Sequence, residues 1–448
     1  MNMFHNILAR LKASSFWKSV ATLSAGQIIG QAIGLLSTPI ASRLYSVDAY
    51  GNFGIITSTA TIIIGLIGLG LGSAIMAPSD DEESKCILRT SFILQAVLAT
   101  LVVLSLLLIS NTYRPFETDV PYWLAILFMY VYILATILNS YMAVYINKLG
   151  KNKVLFVNPL ISACCTLGIT IPLGFKHMET AGLMCASIVS PIIASLHMIK
   201  SGNPFNKKFH ISDVRFVFKK YKDFVLYQYP ANCVTTFAGQ IPNQTISGHY
   251  GSNALGSFSM CNKVFSLPTN VIATPIQTVY FRTAAEKYRA GEDISAFTYS
   301  MLTKFLYIGF LPVLFAMCFG EPIFSFVLGR QWAQAGTLAS ILALYFAFSF
   351  CYNCVTYFRV AVGRQKINAV TSIISLIALG LPLLLGVLLD LGFYTTMLWF
   401  AIANTIWQIL NCAINFWCMK SNAAKWLIFS IVYCCICIGI TVAVRQFI

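Results

Sequence analysis

Acidic residues are scarce in this chain. Asp and Glu together number 15 of 448 residues, and none lies in the interior of a long apolar run. Proton relays and sites for cationic compounds inside a membrane depend on such carboxylates. The sequence therefore argues against an antiporter for cationic drugs.

Residues for catalysis or metal binding are also sparse. The chain has five histidines, and His177, His197 and His249 stand alone. The fourteen cysteines, including the pair Cys351 and Cys354, are interpreted as small packing residues of apolar runs. The sequence has no Gly-Lys-Ser/Thr phosphate-binding loop. We expect no enzymatic activity, no metal and no other cofactor.

Apolar residues dominate instead: 58% of the chain is hydrophobic, and its mean hydropathy is +0.75. Such a composition indicates a membrane protein. Runs of about 20 apolar residues can cross the hydrocarbon core as helices, and lipid offers no partner to an open strand edge. The sequence predicts an all-α polytopic fold with spans at 19–42, 52–77, 86–110, 121–146, 154–175, 181–199, 224–248, 253–278, 300–320, 332–358, 367–389, 395–418 and 425–444.

The basic residues predict the orientation of these thirteen spans. If the N-terminus is cytoplasmic, 23 of the 30 Lys and Arg, including Arg10, Lys12 and Lys208, fall in cytoplasmic segments, and only 5 fall outside. The formal charge of +15 is thus a signature of membrane topology. No nucleic acid partner is expected.

The longest basic loop, residues 200–223, divides the first twelve spans into two sixes. We predict an N-terminal six-helix lobe at 1–199, a basic cytoplasmic linker at 200–223, a C-terminal six-helix lobe at 224–418 and an additional transmembrane helix at 419–448. The halves echo each other, since Tyr45-x5-Gly51-x-Phe53 recurs as Tyr250-x5-Gly256-x-Phe258. Halves with an even number of spans point the same way, as in transporters built from parallel repeats.

The linker interleaves cations with apolar residues, as in the run from Val214 to Lys220. This pattern is typical of a helix that lies on an anionic cytoplasmic leaflet. A basic anchor that sets topology without a lipid partner would have the same composition. The sequence leaves both interpretations open.

Polar residues within four of the predicted spans follow helical spacing, which places each set on one helix face. The sets are Ser24, Gln27, Gln31 and Thr38; Thr57, Thr59 and Thr61; Asn232, Thr236, Gln240, Asn243 and Ser247; and Ser259, Lys263, Ser266, Asn270, Thr274 and Gln277. They could line a wet cavity between the lobes, or they could form hydrogen bonds that hold helices together. Gly65, Gly68, Gly70 and Gly72 in the second span predict close helix approach.

Lys263 is the one formal charge well inside an apolar run. About ten residues at 1.5 Å each place it near the middle of a ~30 Å core. A charge at this depth costs roughly 2.5 to 3.5 kcal/mol to insert, so it predicts a functional site for an anion. The alternative is a lysine whose long stem reaches a helix end or a neighbouring carbonyl.

Several short stretches of the chain form a recognisable set. They are Thr38-Pro39-Ile40 with Arg43 and Tyr50-Gly51, Gln240-x-Pro242, Lys263-Val264, the run from Gly320 to Gly336, and Gly363-Arg364-Gln365. Together they resemble bacterial oligosaccharide flippases, the polysaccharide transporters of the multidrug/oligosaccharidyl-lipid/polysaccharide (MOP) exporter superfamily. Family members often carry Arg where this chain has Lys263. Lysine keeps the charge but lacks the guanidinium fork that binds phosphate with two hydrogen bonds.

The resemblance implies a V-shaped exporter of two six-helix bundles in the bacterial inner membrane. It would move undecaprenyl-diphosphate-linked oligosaccharide, such as an O-antigen unit, to the outer leaflet as a monomer. Implied partners are membrane lipids, a polysaccharide polymerase and glycosyltransferases. Lys263 would attract the diphosphate, Arg43 would hold it as the outward state opens, and Arg359 would guard the inner side. The substrate-binding set is completed by Gln27, Gln31, Asn232, Gln240, Asn243, Ser259 and Asn270.

Other functions remain open from sequence alone. A flippase for the peptidoglycan precursor would use the same features, and a drug or cation antiporter belongs to the same superfamily. A membrane glycan polymerase, ligase or acyltransferase would also bind a lipid-linked sugar, but it would need a catalytic set in a sizeable loop, which the sequence does not show.

Overall fold

The computed structural model describes residues 15–108, 118–207, 209–362 and 364–447, and every regular element in these ranges is helical. Arg10, Lys12, Lys208 and Gly363 lie outside them. The chain forms two compact units, Met1–Gln244 and Thr245–Ile448. The predicted lobe boundary at 199–224 stays a prediction.

The helices that begin in the first unit are α1 (Ser15–Leu44), α2 (Val47–Ile67), α3 (Leu71–Ala74), α4 (Asp81–Leu108), α5 (Tyr122–Lys148), α6 (Asn152–Phe175), α7 (Glu179–Ser201), α8 (Ile211–Lys220) and α9 (Tyr229–Pro268). A π-helical turn, Phe224–Gln228, precedes α9, and another, Thr269–Ala273, follows it. The remaining helices are α10 (Thr274–Arg289), α11 (Ser295–Leu328), α12 (Ala333–Val355), α13 (Phe358–Ala361), α14 (Gln365–Leu388), α15 (Phe393–Cys418) and α16 (Ala423–Phe447).

Ten helices of the described residues are long and apolar enough to cross a membrane, and each overlaps a predicted span. The chain is therefore a multi-pass membrane protein. The other three predicted spans, 19–42, 224–248 and 253–278, also fall on helical segments. All three carry polar sets that were identified in the sequence. The second predicted span, 52–77, is too long, because its helix ends at Ile67.

The loops of the first unit sort into two groups, as the predicted topology requires. At one end, Lys148 donates to the carbonyl oxygen of Asp80 at 3.3 Å, and Lys207 pairs with Glu82 at 2.7 Å. These residues belong to three loops that were all predicted to be cytoplasmic. The side-chain contacts therefore agree with the predicted partition of the loops, while the orientation of the N-terminus stays a prediction.

Loops predicted to lie outside meet at the other end of the first unit. Ser46 Oγ donates to Glu179 Oε2 at 2.8 Å, and Asp119 Oδ1 accepts from Asn52 Nδ2 at 2.9 Å and from Thr180 Oγ1 at 2.5 Å. Ser46 also caps α2, because its hydroxyl accepts a hydrogen bond from the backbone N–H of Ala49.

Close helix packing in the first unit depends on glycine. A Cβ at Gly26 would collide with the carbonyl oxygen of Phe156, and one at Gly30 would lie 3.0 Å from that of Pro159. Both contacts join α1 to α6. These two glycines of the first span therefore allow α1 to pack closely against α6.

Within α9, the helix is interrupted at Gly251, where φ is 85° and ψ is 178°. This backbone region is essentially restricted to glycine. Pro268 precedes the π-helical turn at Thr269–Ala273. The larger departure from helical geometry, at Gly251, was not predicted.

Candidate functional site

A cavity of about 370 Å³, lined by polar side chains as well as by glycine and apolar residues, lies within the first unit. Its walls come from α2 to α5 and from the first turns of α9. None of the residues that line it carries a formal charge at neutral pH. They are Thr61, Ile64, Gly65, Gly68, Gly70, Gly72, Ser73, Gln95, Thr136, Ile137, Ser140, Tyr141, Tyr229, Asn232, Thr235 and Thr236.

The cavity exists because the second predicted span is broken. Helix α2 ends at Ile67, and Leu69 and Gly70 then take positive φ values of 51° and 68° before α3 begins. A Cβ at Gly70 would lie 2.5 Å from the carbonyl oxygen of Phe224, and one at Gly72 would lie 2.7 Å from the ring of Tyr141. The glycine run does permit close approach, as predicted, and it also permits the break.

A helix end leaves carbonyl oxygens without intrahelical partners. Here side chains from two other helices supply donors. Gln95 Nε2 donates to the carbonyl oxygen of Gly68 at 2.8 Å, the Tyr229 hydroxyl donates to that of Leu66, and Cys233 Sγ lies 3.3 Å from that of Gly65. These contacts stabilise the end of α2, and therefore the break in the helix, beside the cavity.

Gln95 and Tyr141 are site residues that the sequence reading missed. Gln95 is 1% exposed, and its amide also donates to the hydroxyl of Tyr141, which stands across the cavity edge on α5. One signal was available: Gln95 is the single amide in the third apolar run, between Leu94 and Ala96.

Of the predicted substrate residues, Asn232 lies in the cavity lining and is exposed there. Gln228 Nε2 donates to its Oδ1 at 3.1 Å. Gln240 and Asn243 bond to each other on α9 at 3.0 Å. On α1, Gln27 is exposed, and Gln31 is half-buried.

Thr59, a residue of the predicted polar face of the second span, accepts a hydrogen bond from another helix. This contact agrees with the interpretation that polar residues hold helices together. Gln244 Nε2 donates to Ser58 Oγ at 3.2 Å and to Thr59 Oγ1 at 3.1 Å, which ties α9 to α2 inside the first unit. Other hydroxyls, such as that of Thr61, donate to the carbonyl oxygen four residues earlier in their own helix.

In the second unit, Lys263 of α9 and Asn270 of the π-helical turn that follows it are exposed, while Ser259 is half-buried. The other side of this helix is anchored. Phe265 stacks on Phe346 of α12 with ring centroids 4.5 Å apart, and Cys261 is fully buried. Packing therefore anchors the helix on the side opposite to Lys263.

Arg359 occupies a different environment, because its side chain is fully buried in the second unit. Its Nε donates to Asn415 Oδ1 at 2.8 Å, one terminal nitrogen donates to the carbonyl oxygen of Asn411 at 2.8 Å, and the other donates to Thr371 Oγ1. The guanidinium joins α13, α14 and α15. Arg43, by contrast, is exposed in the last turn of α1.

No curated protein matches the chain. A family model described as polysaccharide biosynthesis protein matches residues 40–337, more than half of the sequence. The chain belongs to this polysaccharide biosynthesis protein family. The cavity residues, Arg43 and Lys263 lie inside the matched region of the family model, whereas Gln27, Gln31 and Arg359 lie outside it.

Solved structures show which fold this family member has. The lipid II flippase MurJ in an inward closed conformation is 14% identical, with a TM-score of 0.67 over 95% of this chain and 97% of that chain. An inward-facing multidrug resistance MATE family transporter of the MOP superfamily is 14% identical, with a TM-score of 0.62 over 90% and 98%. A MOP superfamily transporter from Pyrococcus furiosus is 16% identical, with a TM-score of 0.59 over 90% and 96%. The predicted all-α membrane fold is confirmed, and the family model confirms the predicted link to polysaccharide transport proteins at the level of the polysaccharide biosynthesis family.

Proposed function

We propose that this family member translocates an undecaprenyl-diphosphate-linked oligosaccharide, such as an O-antigen repeat unit, from the cytoplasmic to the outer leaflet of the bacterial inner membrane. It would do so by alternating access, with the lipid tail remaining in the bilayer. The polysaccharide biosynthesis family and the MOP transporter fold support transport in this pathway. Glycosyltransferases would supply the substrate, and a polymerase would consume it.

The cation of Lys263 on α9 carries the proposal. Lys263 lies halfway along an apolar stretch of the sequence, the residue is exposed, and Phe265 and Cys261 pack on the other side of the helix. An ammonium at such depth is expensive unless it meets an anion. A diphosphate offers two charges and several acceptor oxygens to its three donors.

The cavity in the first unit supports the sugar half of the substrate. Its hydroxyl, amide and tyrosine groups match the hydroxyls of an oligosaccharide as donors and acceptors. Because the residues that line it bear no carboxylate, the cavity is poorly suited to a cationic drug. The lining therefore favours an oligosaccharide flippase over a drug antiporter.

The roles of the two arginines remain part of the proposal. Arg43 is exposed in the last turn of α1, where it can reach an anion. The donors of Arg359 are engaged with Asn411, Asn415 and Thr371. We infer that Arg359 positions helices around the inner half of the second unit, and that any contact with substrate would require these bonds to open.

A reconstituted flipping assay tests the proposal. The purified protein in vesicles would receive a fluorescent oligosaccharide linked to undecaprenyl diphosphate, and a reducing quencher outside would report its arrival in the outer leaflet. We expect flipping above that of protein-free vesicles. Failure to flip any diphosphate-linked sugar, by protein that retains its thermal midpoint, would refute the function.

The peptidoglycan precursor is the second candidate, favoured by the likeness to the lipid II flippase MurJ. Its headgroup also joins a lipid diphosphate to a sugar. Lipid II in the same assay separates the two: faster flipping of lipid II than of the repeat-unit lipid would favour this candidate.

A further inference from the structure

Helix α8, which follows the sixth predicted span, has two chemically different faces. Val217 is fully buried and Tyr221 is 7% exposed, so this side packs against the first unit. Arg215, Phe216 and Lys219 are exposed on the other side. The helix is therefore docked along one face and open along the other.

Ion pairs with the start of α4 hold the docked face. Arg89 contacts Asp213 at 3.4 Å and donates to the carbonyl oxygen of Lys207 at 2.8 Å. Lys220 pairs with Glu83, and the Tyr221 hydroxyl donates to the same carboxylate at 2.9 Å. Burial, aided by the charge of Glu83, raises the pKa of Tyr221 to about 12, so the hydroxyl stays a donor at neutral pH.

These contacts leave the cations of the open face uncompensated. Arg215, Lys219 and Lys222 are exposed, and none of them forms an ion pair with any residue that the structure describes. Asp213 is engaged by Arg89, so Asp223 is the one exposed acid of the segment. The open face carries a clear excess of positive charge.

The docking contacts also set the depth of α8. The apolar run of α4 begins near Cys86. Glu83 lies three residues before it, which corresponds to about 4.5 Å of helix rise. A helix fixed at that level lies at the boundary between water and lipid. Phe216 is 46% exposed and Ile211 is 83% exposed, so apolar groups are available to enter the headgroup region.

We infer that α8 is an interfacial helix whose open basic face binds the headgroups of anionic phospholipids. Charge complementarity selects this occupant, because a bilayer surface is the one anionic partner that a membrane protein meets at this level along its whole perimeter. The inference is independent of which substrate the protein transports.

Fluorescence quenching by lipids tests the inference locally. The Phe216→Trp variant of the full chain would be reconstituted in two kinds of vesicle. One contains phosphatidylcholine alone, and in the other phosphatidylglycerol replaces about a third of it. The lipids of both vesicles are brominated near the top of the acyl chain. The emission of the wild-type protein, which has seven native tryptophans, is subtracted. We expect quenching of the added tryptophan to rise at least twofold with phosphatidylglycerol and to fall back in high salt.

Two triple variants complete the test in the Phe216→Trp background. Arg215→Gln, Lys219→Gln and Lys222→Gln together should abolish the phosphatidylglycerol dependence, since each cation near an anionic surface contributes about fivefold in association. The control variant carries Lys366→Gln, Lys420→Gln and Lys425→Gln, which remove the same charge from exposed sites of the second unit. It should preserve the dependence of quenching on phosphatidylglycerol.

Quenching that is equal in both lipid mixtures would show apolar anchoring without headgroup binding and would overturn the inference. If quenching is absent in both lipid mixtures, the open face lies in water or against a soluble partner. This result would also overturn the inference. Thermal midpoints of all variants, measured in the same vesicles, confirm that the protein remains folded.

Discussion

The hydroxyl of Tyr45 donates a hydrogen bond to the carbonyl oxygen of Thr170 at 2.7 Å, which ties the end of α1 to α6. In the second unit, Tyr250 donates to the carbonyl oxygen of Leu391 at 3.1 Å. Each tyrosine reaches the region at the C-terminal end of the fifth predicted span of its own half. The Tyr-x5-Gly-x-Phe echo in the sequence therefore corresponds to the same contact made twice, as expected of an internal repeat.

Gln95→Leu is expected to lower the stability of the first unit by about 1 to 3 kcal/mol, because the carbonyl oxygen of Gly68 and the hydroxyl of Tyr141 lose their buried donor. Thermal unfolding of the wild type and the variant in detergent measures this loss of stability. Tyr141→Phe is the matched control: it keeps the ring against Gly72 and should cost less, since the Gln95 bond to Gly68 survives. Equal thermal midpoints for wild type and Gln95→Leu would mean that the broken helix does not depend on this amide.

Gly251→Ala should destabilise the protein by about 1 to 3 kcal/mol, because φ of 85° with ψ of 178° is open to glycine and strained for alanine. No heavy atom lies within 4 Å of a Cβ built there, so crowding cannot be the cause. Gly248→Ala provides the control within the same helix, since its Cβ also meets nothing and its φ is not positive. Alanine there should be neutral or stabilising. If both variants unfold at the wild-type temperature, the break at Gly251 is not a requirement of the native state.

The helices could be predicted from the length of the apolar runs, and their polar faces from the spacing of the polar residues. All ten of the helices able to cross the membrane correspond to predicted spans, because an apolar run of 20 residues has few alternatives in lipid. The surroundings of Arg359 could not be predicted. Its acceptors, Asn411 and Asn415, are 52 and 56 residues away in the chain, and only tertiary packing brings them to the guanidinium.

The site was partly visible in the sequence for the same reason. Asn232 and the glycine run were identified because they follow local spacing. Gln95 contributes one isolated amide from a neighbouring helix, and no periodic pattern marks it. The break between α2 and α3 depends on the Gly70 backbone and on donors from α4 and α9, so its position emerges only with the tertiary fold.

Arg359→Met should destabilise the second unit by several kcal/mol, because it leaves buried acceptors on Asn411, Asn415 and Thr371 without a donor, at about 1 to 3 kcal/mol each. Arg359→Lys should recover only part of this stability, since an ammonium cannot reproduce the planar fork. Thermal unfolding and flipping are measured together. A variant with the wild-type midpoint but no flipping would instead assign Arg359 to the substrate.

Lys263→Ala should reduce flipping at least tenfold while leaving the thermal midpoint within about 1 kcal/mol of wild type, since the side chain is exposed and the helix is held by Phe265. Lys263→Arg should keep most of the activity because it keeps the charge. Lys304→Ala changes the formal charge equally at the edge of another span and serves as the control. Normal flipping by the Lys263→Ala variant would remove this residue from the mechanism.

The membrane potential is expected to bias transport by the charge of the diphosphate. Each elementary charge that crosses 100 mV is worth about 2.3 kcal/mol, so two negative charges that leave a negative interior gain about 4.6 kcal/mol. Vesicles with a potassium gradient and valinomycin set the potential, and outward flipping of a diphosphate-linked sugar should rise as the interior becomes more negative. The same sugar linked through a monophosphate carries one charge, so its accumulation should depend on voltage half as steeply on a logarithmic scale. Equal nonzero slopes for the two lipids would show that the voltage acts on a charge other than that of the phosphate. No slope for either lipid would show that the phosphate charge is neutralised before it crosses, and that the potential cannot drive the export.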